Sequence, residues 1–204
     1  MVGMMTEHRS MKQVLQQSDE PAWREWDYSL VLFPEGDGGE KVRRLAALLQ
    51  HGSEKAAGKV GSPCISLGTF RGREAMEDTL IRWVQRVCRM QQRFRIEVKG
   101  PCVHPAGGWL LKVVDQGALT KLTESLAVIV DEYLHSCGKE KVVWSRSPHC
   151  RISEGQDRQS PDVRQKRIEE MILQTDFMLH SLVLMKEEYE GGYTEMVNVF
   201  PFHP

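Results

Sequence analysis

The sequence predicts an α+β fold of two lobes related by a soft internal repeat. Three observations lead there. Apolar periodicity switches repeatedly between the step of two of a strand and the 3.6 of a helix. The dipeptide Ser-Pro opens a short strand-like segment twice, in "SPCISLG" from Ser62 and in "SPHCRIS" from Ser147, and each time a strand and a helix pattern come before it. The chain has 204 residues, 41% of them hydrophobic and 27% charged, enough to bury a core without disulfides or metal.

Residues 1–26 are polar and Met-rich with little periodicity, and are expected to form an N-terminal extension; the main domain is expected over 27–204. "YSLVLFP" (28–34) is an apolar run stopped by proline, a strand. "EGDGGEK" turns into a helix carrying Leu45, Ala46, Leu48 and Leu49. It lacks the Gly-Lys-Ser/Thr ending of a phosphate-binding loop. "SPCISLGTF" (62–70) is the second strand. Met76, Leu80, Trp83, Val84 and Val87 make one helical face. "RFRIEVKG" alternates Phe94, Ile96 and Val98 with Arg95, Glu97 and Lys99, a half-buried strand, and "GWLLKVV" (108–114) is another. Leu119, Leu122, Leu126, Ile129, Val130 and Tyr133 mark the third helix. After the strand "SPHCRIS", a polar loop over 154–165 leads to a helix over 162–172. "FMLHSLVLMKEE" (177–188) and "TEMVNVFPF" (194–202) read as the last two strands, joined by a turn at "EGGY".

Charge and cysteines exclude several classes. The net charge of −1 provides no global field for duplex DNA. Cys64, Cys88, Cys102, Cys137 and Cys150 are widely spaced with no CxxC pair, so no metal site and no cofactor are expected. Scattered single cysteines suit a reducing cytoplasm, most of them as small buried hydrophobes. No apolar run reaches the length of a leader's core or a membrane span, so a cytoplasmic protein with no membrane association is the expectation.

The two Ser-Pro strands carry the candidate site. In "PCISLG", alternation places Cys64 and Ser66 on one face and Ile65 and Leu67 on the other, and the apolar pair belongs in the core. "PHCRIS" can be matched to it with its proline aligned, so that His149 and Arg151 mirror Cys64 and Ser66, or with its Ile-Ser aligned, so that Arg151 and Ser153 do. The second match sets Glu154 on the core side, where an unpaired carboxylate is costly, so the first is preferred.

On these motifs the chain resembles the 2H phosphoesterases, the superfamily of 2′-5′ RNA ligase-like proteins and cyclic nucleotide phosphodiesterases. They carry two Pro-His-x-Thr/Ser strands in a duplicated α+β fold, with two antiparallel sheets lining a central cleft and helices outside. The likeness takes in "YSLVLFP", "PCISL", "FRIEVKG", "PHCRI" and "MVNVFPF". It implies a cleft for a nucleotide or RNA-end phosphate. There, one His is general base and the other general acid on a phosphodiester, and the hydroxyls two residues on bind the phosphate. By position, His149 and Cys64 take the catalytic places, and Ser66 and Arg151 the phosphate-binding places. Cys64 stands where the first His belongs, and Arg151 where the second Thr or Ser belongs. A guanidinium fork suits phosphate well, but a thiol does not replace an imidazole. The resemblance therefore implies a phosphate cleft with damaged or altered chemistry. Two other readings stand beside it: an interaction protein that keeps only the scaffold, and a phosphodiesterase with a rewired Cys64/His149/Arg151 site. A Cys64–His149 dyad, zinc on the same pair, anion steering by Arg71 or Arg146, and base stacking at His104 or Trp109 are subsidiary possibilities.

Overall fold

A computed structural model describes residues 25–50, 62–103, 108–153, 173–188 and 193–204. Its elements are β1 (Glu25–Leu32), α1 (Gly36–Gln50), β2 (Cys64–Arg73), a 3₁₀ turn (Glu74–Met76), α2 (Glu77–Met90), β3 (Phe94–Val103), β4 (Trp109–Val113), α3 (Gly117–Ser136), β5 (Val143–Trp144), β6 (His149–Ser153), β7 (Leu173–Leu179), β8 (Ser181–Glu188) and β9 (Thr194–Pro201). The expected loop and helix between 154 and 172, and most of the "EGGY" turn, lie outside the described residues, as do residues 1–24.

The strands form one antiparallel sheet in the order β7-β3-β4-β6-β2-β1-β8-β9, with β5 paired to β2. It consists of two four-stranded halves, β7-β3-β4-β6 and β2-β1-β8-β9. These are the two expected sheets, and the β2–β6 pair joins them. One face carries the core. On β1 it is lined by Trp26, Tyr28, Leu30 and Leu32, on β2 by Ile65 and Leu67, and on β6 by Cys150 and Ile152. The helices cover this face. α2 buries Leu80, Val84, Val87 and Cys88, and α3 buries Leu119, Leu122, Leu126, Val130 and Leu134, each at helical spacing. Trp83, expected on the buried face of α2, instead turns outward. Burial pushes the Cys88 thiol up to about 12, which leaves it a packed hydrophobe.

The glycines of "EGDGGEK" have a packing role. A Cβ on Gly38 would stand 1.9 Å from the carbonyl oxygen of Asp176 in β7, and one on Gly39 would stand 2.4 Å from that of Pro34. They let the start of α1, which follows β1 in one half, press against a strand of the other half.

The expected strand over 177–188 is two strands. β7 pairs with β3 in one half and β8 with β1 in the other, and only His180 lies between them. The sheet must therefore curl until its two ends meet at this residue. The meeting is held by Phe94 stacked on Phe202 at 5.8 Å and by backbone bonds that His203 makes with Gln91 and Arg93. The sequence signal is a parity switch: Phe177 and Leu179 face the core on β7, and Leu182 and Leu184 on β8.

One charge is buried at the core margin. Lys186 donates to Glu74 (2.9 Å) and Glu77 (3.1 Å) and lies over the Trp26 ring, while Tyr28 donates to Glu77 at 2.8 Å. Burial pulls the Lys186 pKa down, but its hydrogen bonds to Glu74 and Glu77 outweigh this and raise it. Burial, and then the bond to Glu77, raise that of Tyr28. Both groups hold their protons more tightly in the folded state. Their stabilisation is complete below the unfolded pKa values, about 10, and is lost as pH rises through the folded ones.

Two measurements check these points. Gly38→Ala forces a backbone clash and is expected to cost about 2 kcal/mol or more, read as a lowered denaturation midpoint. Lys186→Met leaves Glu77 facing the core margin without its cation. It is expected to cost about 3 kcal/mol in urea unfolding at pH 8, and to make the loss of stability above about pH 10 shallower than in the parent.

Candidate functional site

The two Ser-Pro strands lie side by side at the centre of the sheet. Cys64 pairs with Arg151, and Ile65 with Cys150. Partners directly opposite share a face, so this register divides the segment in two. Ile65 and Cys150 are fully buried on the core side. Cys64 and Arg151 point the other way, with Ser66 and His149 two residues along on each strand. The four residues singled out in the sequence therefore share one face, in the proline-aligned match. Pro63 and Pro148 are both buried and Ser62 and Ser147 both exposed, so the two motifs enter the sheet alike.

The four differ in surroundings. Cys64 is only 8% exposed and packs with Val31 and Val183, flanked by Phe33 and Met185, in a small apolar cluster on the cleft face. Ser66 and His149 are half-buried and Arg151 is exposed. His149 Nδ1 lies 3.1 Å from the carbonyl oxygen of Ser147. A carbonyl can only accept, so Nδ1 carries the proton, and in the neutral ring Nε2 keeps the lone pair that a base requires. Cys64 and His149 are diagonal neighbours across the two strands, a relation that sets their Cα atoms about 7–8 Å apart or less.

The approach to His149 is pinned. Asp131 of α3 accepts from the Val142 amide at 3.0 Å and from the Trp144 indole at 3.1 Å, and Ser145 donates to the Leu67 carbonyl at 2.8 Å. Gly68 makes room, since a Cβ there would stand 2.6 Å from Val142 and 2.8 Å from Trp144. The two-residue strand β5, too short to read from the sequence, is the product of these contacts.

Other candidates fall elsewhere. Trp109 is buried in the core and offers no stacking surface, and His104 lies outside the described residues. Arg71 pairs with Asp27 at 2.9 Å. A groove of about 390 Å³ lined by Thr79, Arg82, Trp83 and Arg86 lies on α2, on the core side of the sheet and so opposite the motif face. Among the described residues no three His, Cys, Asp or Glu side chains gather as a metal site would require. The sequence reading passed over Lys99 and Lys112. Lys112 stands directly opposite His149, and Lys99 opposite Lys112, on the motif face. Alternation assigns each lysine to the polar side of its strand, but only the strand order brings them beside His149.

No family model and no curated protein sequence matches the chain. Solved structures do. TT0787 of Thermus thermophilus aligns with a TM-score of 0.58 at 17% identity, over 86% of this chain and 97% of that one. LigT of E. coli, in complex with 3′-AMP, aligns at 0.58 and 12% identity, over 89% and 100%. A structure described as a phosphoesterase aligns at 0.57 and 11%, over 88% and 99%. The chain thus shares the fold of these structures, the two-lobed α+β arrangement that its paired motifs led us to expect. The likeness extends over nearly the whole of each neighbour.

Asp131→Ala would leave two donors without their acceptor. It is expected to cost about 1–3 kcal/mol and to speed amide hydrogen exchange over residues 142–150, with residues 94–99 unaffected.

Proposed function

We propose that the cleft binds a phosphate group carried by a nucleotide or an RNA end, and that its phosphodiester chemistry is damaged by the loss of one imidazole to Cys64. The observation that carries this reading is the Cys64–Arg151 register, which gathers Ser66, His149 and Arg151 on one face at the junction of the halves. Support also comes from the LigT structures, whose ligands include 3′-AMP, NADP+ and ATP. Arg151 supplies a fork of N–H donors and Ser66 a hydroxyl, a fitting pair for phosphate oxygens. His149, through Nε2, takes a proton from one side of the phosphorus or gives one. Opening a 2′,3′-cyclic phosphate calls for a second group opposite. Cys64 sits among apolar side chains, the company of a packed hydrophobe. A missing acid or base lowers such a rate about 10²–10⁴-fold.

Nucleotide binding and 2′,3′-cyclic nucleotide hydrolysis test the reading together. The parent is expected to bind a nucleoside 3′-phosphate, about tenfold more weakly in Arg151→Ala, and to turn over the cyclic nucleotide poorly. Cys64→His is expected to raise turnover about 10²-fold, a gain that His149→Ala abolishes. Rapid turnover by the parent, lost in both His149→Ala and Cys64→Ser, would establish the rewired enzyme instead. Absence of all binding would leave the scaffold reading.

A further inference from the structure

A single cross-strand row runs over the motif face through all eight strands of the main sheet order. It reads Gln174 (β7), Lys99 (β3), Lys112 (β4), His149 (β6), then Val31 (β1), Val183 (β8) and Val199 (β9). Ser66 of β2 joins it, being paired with Val31 and one step along from the Cys64–Arg151 pair. The row is cationic at one end and apolar at the other, and it contains no carboxylate. Lys99 and Lys112 are exposed and directly opposite each other, an arrangement of like charges that destabilises a sheet. They sit on interior strands, so they do not serve to blunt a sheet edge. The acids on that half are engaged by other groups than the lysines: Asp176 with Arg95, and Glu97 with Gln174 at the end of the row. Among the described residues neither lysine has an ion pair.

From this row we infer a second anion subsite, formed by Lys99 and Lys112, for a second phosphate on the ligand held at Ser66, His149 and Arg151. The inference rests on the proposed phosphate cleft and adds the ligand's class: a nucleotide with two phosphates, one on its 2′/3′ side and one on its 5′ side. Neighbouring strands lie about 4.8 Å apart, so Lys112 and Lys99 stand about one and two strand spacings from His149. That range suits the two phosphates that flank one ribose. The direction is set as well. On the other side of His149 the row offers the buried Val31 and Val183 and then the 44%-exposed Val199, none of which gives a charged group a partner. The second phosphate belongs either to a free 5′-phosphate or to the chain linkage before an RNA 3′ end, and both have the same chemistry.

Calorimetric titration of the full-length protein, and of Lys99→Gln/Lys112→Gln, separates the possibilities. The probes are a nucleoside 3′-monophosphate, the 3′,5′-bisphosphate, and a dinucleotide with a terminal 3′-phosphate. The parent is expected to bind at least one of the two-phosphate probes about tenfold more tightly than the monophosphate, with a steeper salt dependence. In the double variant, whose folding is checked by its thermal transition, that ratio falls to about one. Preference for the bisphosphate alone identifies the free 5′-phosphate, and preference for the dinucleotide identifies the RNA end. If the monophosphate binds and the ratio is near one in the parent, or if the double variant keeps the preference, the subsite is overturned while the phosphate cleft stands. Absence of binding by every probe overturns both.

Discussion

Two residue pairs, Cys64–Arg151 and Ile65–Cys150, join the halves of the sheet at its centre, and most of the molecule is arranged around that short contact. Each half is a four-stranded sheet with one apolar face. Neither would keep that face dry alone, because the helices are shared. α1 follows β1 in one half and packs on β6 and β7 of the other. The chain also crosses between halves at His180 with one residue to spare. The β2–β6 register decides how the two apolar faces meet. Because Ile65 and Cys150 are opposite and both fully buried, the core runs without interruption beneath the junction. A slip of one residue in either strand would turn that strand's two motif side chains inward and expose its apolar pair.

The same constraint leaves the open face of the sheet free to carry different side chains without loss of the fold. The register is held by Ile65, Leu67, Cys150 and Ile152 on the buried side, so the residues on the open side are free of that duty. Cys64 has been absorbed into an apolar cluster with Val31 and Val183, and Arg151 reaches into solvent, with the backbone of both strands in place. Positioning from behind is independent of both: the Asp131 clamp, the Ser145–Leu67 bond and the space at Gly68 all lie upstream of His149.

Much of this was legible in the sequence because it rests on alternation within a strand. Ile65 and Leu67 against Cys64 and Ser66, and Cys150 and Ile152 against His149 and Arg151, fall on the sides that parity assigns. The matching Ser-Pro entries pointed to partnership between the two strands. What alternation cannot supply is which strands are neighbours. Lys99 and Lys112 read as ordinary solvent-facing residues until β3-β4-β6 become adjacent. The division of 177–188 at His180 was missed because a long apolar run looks continuous, although its parity changes. Trp83 was assigned inward because it shares a helical arc with Val84 and Val87, but the arc that α2 buries against β9 and α3 is narrower.

The two halves carry unlike side chains on the open face of their similar backbones. A site that passes protons to and from both sides of a phosphorus atom benefits from two equivalent imidazoles, one from each motif strand. Here the half built on β2 offers Cys64, Val31 and Val183, and the half built on β6 offers His149, Arg151 and the lysines behind them. Such a surface is polar from one side to the other rather than symmetrical. For the ligand proposed above, apolar side chains on one side and two exposed lysines on the other would distinguish its two ends, because a charged end gains partners only over the lysines. Cys64 is part of that polarity, since it completes the apolar cluster with Val31 and Val183.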